Sequence, residues 1–202
     1  MGEHLTLKKV RLAMFGVAVC VLLGATNCTR VNQGMKQGSN ETVSKAAMGF
    51  SKVKAAKAQL FRGDGNKDSK GTVFFRQDGE TVKVKVLLEN VPRGPHGFHI
   101  HEYGDCSNTK DFTSAGGHYA PLGHPHGKPH ADESHVGDMG NIEVNEQEGV
   151  FEAEMEFKKF ALNGAPNIIG RAVILHEGQD DLQSQPSGAA GPRLLCGVIG
   201  VS

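Results

Sequence analysis

The stretch "TVFFRQDGETVKVKVLLENV", from Thr72 to Val91, gives the clearest indication of the fold. Its second half alternates apolar residues with lysines, which is the two-residue period of a strand with one buried face. The Asp78-Gly79 pair predicts a two-residue turn that joins this strand to the preceding "TVFF". The stretch therefore predicts an antiparallel β-hairpin.

Further strands are predicted on either side of this hairpin. "GNIEVNEQEGVFEAEMEF" indicates a second hairpin that turns around residues 146–149, and "GRAVILHE" and "RLLCGVIGV" indicate two buried strands. "KVKAAKAQL", residues 52–60, has a helix-forming composition, but its β surroundings favour a strand. Many short strands with glycine-rich turns predict an all-β sandwich or barrel that forms one domain over residues 52–202.

The charge balance and one long loop limit the classes of function that the sequence allows. Lys+Arg and Asp+Glu both number 22, so no excess of positive charge indicates a nucleic-acid partner. Residues 104–141 show no periodicity and are rich in glycine, proline, histidine and charge. A loop of this length in a single domain is typical of a functional site.

The N-terminus predicts export. Basic residues precede the apolar run Leu12–Ala25, whose length of about 14 residues suits a signal peptide and is short of the ~20 that a spanning helix needs. The leader is expected to cover residues 1–28, followed by a flexible linker over residues 29–51. The expected location is the periplasm or cell envelope.

Cys28 closes the segment "GATNC", which is typical of the cleavage site where a lipoprotein cysteine becomes lipidated. Asn27 and Ala25 depart from the usual residues of such a site, so a lipid-anchored protein and a plainly secreted one both stay open. Beyond the leader only Cys106 and Cys196 remain, and two cysteines in an oxidising compartment most simply form a disulfide.

Eight of the ten histidines lie between His96 and His135. His99 and His101 are two residues apart in a predicted strand, so both side chains point to one face and can share a metal ion. The loop adds histidines 118, 124, 126, 130 and 135, and Asp138 follows His135 at a spacing that suits chelation. Three imidazoles and a carboxylate would complete a structural zinc site. A histidine tract that binds metal loosely is the alternative, and spacing alone does not choose among the loop histidines.

Five motifs in order, "GFHIHEYGDC", "GGHYAP", "HVGDMGN", "AVILHE" and "GPRLLCGVIG", resemble the copper–zinc superoxide dismutases over residues 52–202. The resemblance implies a Greek-key β-sandwich or flattened barrel with two long functional loops. It implies a redox-cycling copper beside a structural zinc, with superoxide as substrate and oxygen and hydrogen peroxide as products. The implied copper ligands are His99, His101, His118 and His176. The implied zinc ligands are His118, His126, His135 and Asp138.

The resemblance also implies roles for residues around the metals. Arg193 would attract and orient the superoxide anion, and His118, which bridges the metals, would carry a proton to the peroxide. Asp180 would link a copper-ligand histidine to a zinc-ligand one, although the adjacent Asp181 leaves that choice open. The disulfide would hold the loop that carries Arg193 against the fold.

One departure from the animal enzymes indicates the bacterial, exported branch of the family, and a second leaves open how substrate is steered beyond Arg193. Cys106 lies only five residues after His101, and the loop over residues 178–192 lacks the charged cluster that steers substrate in animal enzymes. The state of assembly, monomer or homodimer, stays open for the same reason. A metal-storage protein that kept the fold without the activity is the alternative, and the complete set of copper ligands together with Arg193 argues against it.

Overall fold

The computed structural model describes residues 51–65, 68–145 and 150–202, all of which belong to one unit, Gly49–Ser202. The predicted signal peptide, Cys28 and nearly all of the predicted linker lie outside these residues. Apart from one 3₁₀ turn, Thr113–Ala115, the described residues that form regular elements are in strands. The strands are β1 (Ala55–Phe61), β2 (Lys70–Asp78), β3 (Thr81–Glu89), β4 (Gly94–His101), β5 (Asp138–Val144), β6 (Val150–Phe157), β7 (Ala172–His176), β8 (Arg193–Val198) and β9 (Gly200–Val201).

The strands form one antiparallel sheet in the order β5-β4-β7-β8-β1-β2-β3-β6, with β9 beside β1. The sheet curls into a nearly closed, flattened barrel, so the predicted all-β class with Greek-key connections is confirmed. Two long loops leave it, one between β4 and β5 and one between β7 and β8. No helix in the described part of the chain is long and apolar enough to cross a membrane.

Period-two patterns place the core where the sequence predicts it. On β3, Val82, Val84, Val86 and Leu88 are buried, while the lysines between them are partly exposed. The predicted strand over residues 52–60 is confirmed with shifted bounds, Ala55–Phe61, and β1 pairs along its whole length with β2. Tertiary pairing therefore overrides the helix-forming composition of β1.

The predicted turn of the first hairpin needs correction. Asp78 pairs with Thr81, so the loop of the first hairpin consists of Gly79 and Glu80 rather than Asp78 and Gly79. Gly79 has a φ of 59°, and a loop that needs a positive φ at its first position places its glycine there.

The predicted second hairpin is wrong in its pairing. Its turn, residues 146–149, lies outside the described residues, but its strands separate: β5 pairs with β4 and β6 pairs with β3. Lysines on the outer face of β3 lie beside glutamates of β6, as in the Lys85–Glu152 ion pair. Opposite charges on neighbouring strands favour this pairing, and the sequence carried that signal.

Candidate metal centre

Four histidines from distant parts of the chain meet in one buried group. His99 and His101 lie on β4, and His176 ends β7. His118 lies in the loop after the 3₁₀ turn. One nitrogen of each ring lies within 4.8 Å of the corresponding nitrogens of the other three. The structure therefore brings together the four residues that the sequence predicts as copper ligands.

Backbone carbonyls fix which nitrogen of two of these rings faces the group. His101 Nδ1 donates to the Gly116 carbonyl at 3.0 Å, and His176 Nδ1 donates to the Gly191 carbonyl at 3.0 Å. A carbonyl only accepts, so the hydrogen lies on Nδ1 and a lone pair remains on Nε2. Both Nε2 atoms are buried without a hydrogen-bond partner among the described residues, which is the condition of a ligand atom.

Asp180 reaches two rings at once and is fully buried. Its Oδ2 lies 2.8 Å from His99 Nε2, and its Oδ1 lies 2.9 Å from His126 Nε2. The Leu182 N–H also donates to Oδ1, at 2.6 Å. Because His99 donates through Nε2, its Nδ1 carries the lone pair, and that atom too is buried without a partner in the described structure. A carboxylate in this position fixes the tautomer and orientation of both rings.

The structure separates the two adjacent aspartates of this loop. Asp180 is held from behind by Asn141, whose side chain bonds both the N–H and the carbonyl of Asp180 at 2.8 Å. Asp181 is exposed and accepts hydrogen bonds from the backbone of Gln183 and Ser184. Asp180 is thus the residue between the rings. Asn141 was not identified from the sequence, because its contact depends on a loop 39 residues away.

A second group of ligands shares His118 with the first. Nδ1 atoms of His118, His126 and His135 lie 2.8, 3.0 and 3.2 Å from Asp138 Oδ1. One carboxylate oxygen has two lone pairs, so three ring nitrogens around it exceed its capacity as an acceptor. The His118 and His135 Nδ1 atoms are 3.4 Å apart, close to the ~3.3 Å edge of a tetrahedron with zinc–nitrogen bonds of about 2.0–2.1 Å. The group therefore fits tetrahedral zinc.

The free nitrogens give the first group its fit to copper. His118 uses Nδ1 toward Asp138, while its Nε2 is buried and unpartnered within the described residues, like the free nitrogens of His99, His101 and His176. Burying four polar atoms without partners is costly unless something binds them. Four imidazole nitrogens are a donor set that copper prefers.

Burial and neighbouring charges set the protonation of the two groups. Burial lowers the pKa of His176 to about 3 and that of His118 to about 4, although the bond to Asp138 opposes the shift of His118. Burial alone would lower the pKa of His126, but hydrogen bonds to Asp138 and Asp180 raise it to about 9. The two carboxylates thus stabilise a positive charge at this point, which a proton supplies when no metal does.

Arg193 lies beside the first group. It begins β8 directly opposite His176 on β7. Burial is the main cause of the lowered pKa values of His101 and His176, and the positive charge of Arg193 adds to the shift. Its Nη1 donates to the Phe112 carbonyl at 2.5 Å and its Nη2 to the Gly116 carbonyl at 2.6 Å. The remaining N–H groups of the guanidinium are enough to bind a small anion.

The predicted disulfide between Cys106 and Cys196 is confirmed. Cys196 lies on the same strand as Arg193, whereas Cys106 lies in the loop that supplies the carbonyls of Phe112 and Gly116. The disulfide therefore links the strand that carries Arg193 covalently to the loop that supplies the two acceptor carbonyls. This agrees in outline with the anchoring role expected from the sequence.

Two side chains that the sequence did not single out support the second group. Lys159 Nζ donates to the Ser134 hydroxyl and to the His135 carbonyl. Gln185 brackets His126, accepting from its N–H and donating to its carbonyl at 2.9 Å each. Both contacts join segments far apart in the chain, so no local pattern could reveal them.

The other histidines of the tract lie outside both groups. His96 is buried between the carbonyls of His176 and Pro92, at 2.7 and 2.8 Å, a supporting position beside the site. His130 stacks on Phe157, and His124 belongs to neither group. The fold therefore separates the histidines of this tract into those that belong to the two groups and those that lie outside them.

A flattened β-barrel with two ligand groups that share a histidine defines a metalloprotein with adjoining metal sites. Residues 69–199 match the family described as "Copper/zinc superoxide dismutase (SODC)". The chain is 42% identical over 142 residues to a putative copper–zinc superoxide dismutase of Autographa californica nuclear polyhedrosis virus, a match that covers 66% of this chain and 93% of the viral protein.

A copper–zinc superoxide dismutase of the yeast Yarrowia lipolytica is also 42% identical, over 152 residues, covering 71% of this chain and 96% of the yeast protein. The crystal structure of the clock protein EA4 superposes with a TM-score of 0.68 at 35% identity, covering 76% of this chain and 98% of that one. The chain belongs to the copper/zinc superoxide dismutase family. It is an oxidoreductase that converts superoxide to oxygen and hydrogen peroxide with copper and zinc as its metals.

Proposed function

We propose that His99, His101, His118 and His176 hold the catalytic copper and that His118, His126, His135 and Asp138 hold the zinc. The observation that carries this assignment is that each histidine of the first group has one buried ring nitrogen without a partner among the described residues, and that one of these nitrogens is on the histidine shared with the second group. Bound copper supplies the one-electron redox change, and bound zinc supplies a fixed charge.

The residues of the chain do the rest of the reaction. Arg193 is cationic at neutral pH and binds the superoxide anion beside the histidine group. The buried rings exclude bulk water and strengthen that attraction. While it is not a copper ligand, His118 Nε2 would take up a proton from solvent and pass it to the departing peroxide. Two superoxide anions and two protons, both supplied in the end by solvent, give one oxygen and one hydrogen peroxide.

The test is superoxide-dismutating activity of the full chain reconstituted with copper and zinc, beside Arg193→Ala and His118→Gln variants. The unaltered protein is expected to be fast, and both variants slow while Arg193→Ala still binds both metals. A protein that binds stoichiometric copper without activity would contradict the assignment and favour metal storage.

We propose further that the protein is exported and belongs to the bacterial branch of the family. The basic and apolar leader and the five-residue interval between His101 and Cys106 support this, and a disulfide suits an oxidising compartment. Expression of the full chain in a Gram-negative host, followed by fractionation and mass measurement, tests it. Cleavage before Cys28 with lipid attached, abolished in Cys28→Ser, identifies a lipoprotein, and cleavage without lipid identifies a secreted protein. Uncleaved protein in the cytoplasm would refute export.

Of the two assemblies that the sequence leaves open, monomer and homodimer, we propose the homodimer. Tyr103 and Val198 are exposed apolar side chains, and a Cβ placed at Gly104, next to Tyr103 in the chain, would lie 3.1 Å from Val198 Cγ1, so the two side chains belong to neighbouring surface. Exposed apolar surface of this kind is typical of protein interfaces. Sedimentation equilibrium is expected to show a dimer that Val198→Lys dissociates, and a monomer at all concentrations would refute the proposal.

A further inference from the structure

Two carbonyls at the ends of one 3₁₀ turn hold the guanidinium of Arg193. Phe112 precedes the turn Thr113–Ala115 and Gly116 follows it, and each accepts one hydrogen bond from the guanidinium. The Gly116 carbonyl also accepts the hydrogen bond of His101 Nδ1. The position of this turn therefore decides where the charge of Arg193 lies relative to the histidine group.

The backbone of Phe112 is in a conformation that its side chain disfavours. Its φ and ψ are 55° and 24°, in the left-handed region that bulky residues rarely occupy. Such a conformation persists only where the surroundings impose it. It turns the chain at the residue whose carbonyl meets Arg193.

The surroundings act on the ring of Phe112, which is 1% exposed. The ring packs edge-to-face on Phe61 of β1, with centroids 5.7 Å apart. It belongs to a small hydrophobic cluster, separate from the main core, that contains both cysteines of the disulfide. The ring of Phe112 therefore packs between the loop and the barrel.

The other contacts of the loop act at different points along it. Asp111 accepts hydrogen bonds from Asn108 and Thr113 within the loop itself, and it is exposed. Bonds inside one loop shape it but do not attach it to the barrel. Backbone hydrogen bonds from the Tyr103 and Glu102 N–H groups to the Ala115 and Gly117 carbonyls attach the far end of the turn. The buried ring of Phe112 attaches the other end, next to the first carbonyl that Arg193 uses.

We propose that Phe112 is a positioning residue for Arg193: its buried ring fixes the left-handed backbone whose carbonyl orients the guanidinium, and so sets the affinity of the site for small anions. The proposal rests on the anion-binding role of Arg193 proposed above. It assigns to the aromatic ring a function separate from filling space.

The test measures azide binding to the copper- and zinc-loaded full chain by visible absorption titration, together with the thermal midpoint. Phe112→Ala is compared with Phe160→Ala, which removes an equally buried ring from the main core. Both variants are expected to lose stability. Only Phe112→Ala is expected to weaken azide binding, roughly three- to tenfold, since one charge-assisted hydrogen bond to the guanidinium is disturbed.

Arg193→Ala and the double variant Phe112→Ala/Arg193→Ala complete the cycle. If Phe112 acts through Arg193, the double variant binds azide no more weakly than Arg193→Ala alone. Phe112→Leu keeps most of the buried volume and carries the test if the alanine variant does not fold; it is expected to weaken azide binding about threefold.

Azide affinity within twofold of the unaltered protein in the folded Phe112 variants, or an additive loss in the double variant, would overturn the proposal. Unchanged affinity in Arg193→Ala would instead refute the anion-binding role of Arg193. The two failures are therefore distinguishable.

Discussion

Replacing Asp180 with asparagine is expected to weaken copper binding selectively. The asparagine keeps the shape of the side chain but replaces one oxygen by an NH₂ group. The Leu182 N–H donates to Oδ1 at 2.6 Å, so the oxygen of the amide is retained at that position. The NH₂ group then faces His99 Nε2, which is a donor in the present structure.

The size of the effect follows from this donor–donor conflict. His99 must either leave the amide unsatisfied or move its hydrogen to Nδ1, the atom that faces the copper group. Losing a hydrogen bond to a buried charged group costs about 1.5–3 kcal/mol, which is roughly a 10- to 100-fold loss of copper affinity. Zinc affinity is expected to fall less than about threefold, because Oδ1 still serves His126.

The assay is competition with a chelator of known affinity, first for copper in the zinc-loaded protein and then for zinc. Asp181→Asn is the matched control, because Asp181 is exposed and, within the described residues, its side-chain hydrogen bonds go to Gln183 and Ser184 of its own turn. Its metal affinities are expected to stay within twofold. An equal loss of both metals in Asp180→Asn, or no loss of copper, would refute the reasoning from the orientation of the amide.

Three further predictions follow from other contacts. Lys159→Met should speed zinc release about tenfold, because the hydrogen bond to the His135 carbonyl is lost. Lys158→Met, at an exposed neighbouring position, is the control. Equal rates of zinc release to a chelator from the Lys159→Met variant and the unaltered protein would contradict the anchoring role of Lys159. Changing both disulfide cysteines to serine should lower the free energy of unfolding by about 4.6 kcal/mol in denaturant titrations, since the bond closes a loop of 90 residues. A loss under about 1 kcal/mol would contradict the expectation that the disulfide restricts the unfolded chain. The free energy of unfolding of the metal-free protein should fall as the pH is lowered from 7 to 5. In the unfolded chain these histidines have a pKa near 6.5 and take up protons in this range, whereas in the folded protein His118 and His176 have pKa values of about 4 and 3 and do not. Each should contribute about 2 kcal/mol, and urea titrations that give the same free energy of unfolding at pH 7 and pH 5 would contradict this.

The sequence predicted the fold well wherever one strand carried its own pattern. The alternation on β3 marked its buried face, and the helix-like composition of residues 52–60 was overruled correctly by the surrounding strands. It failed where two segments had to be related. The partner of β6 is β3, not β5, and only the complementary charges across that pair could have indicated it.

The candidate site shows the same division. Motifs indicated the histidines that meet in the two groups, but local spacing could not choose between Asp180 and Asp181 or exclude His124 and His130. Those choices depend on how distant segments meet, as in the bonds between Asn141 of β5 and Asp180 of the loop before β8. Phe112 escaped notice because a lone phenylalanine in a loop carries no pattern.

The distribution of the ligands along the chain has a consequence for biosynthesis. The zinc-type group lies within His118–Asp138, so a growing chain has all four of its members once Asp138 has been made. The copper-type group waits for His176, and Arg193 and Cys196 are synthesised later still. Because metal binding stabilises the conformation that binds it, zinc captured by the earlier group can organise His118 before the last copper ligand reaches its place beside it.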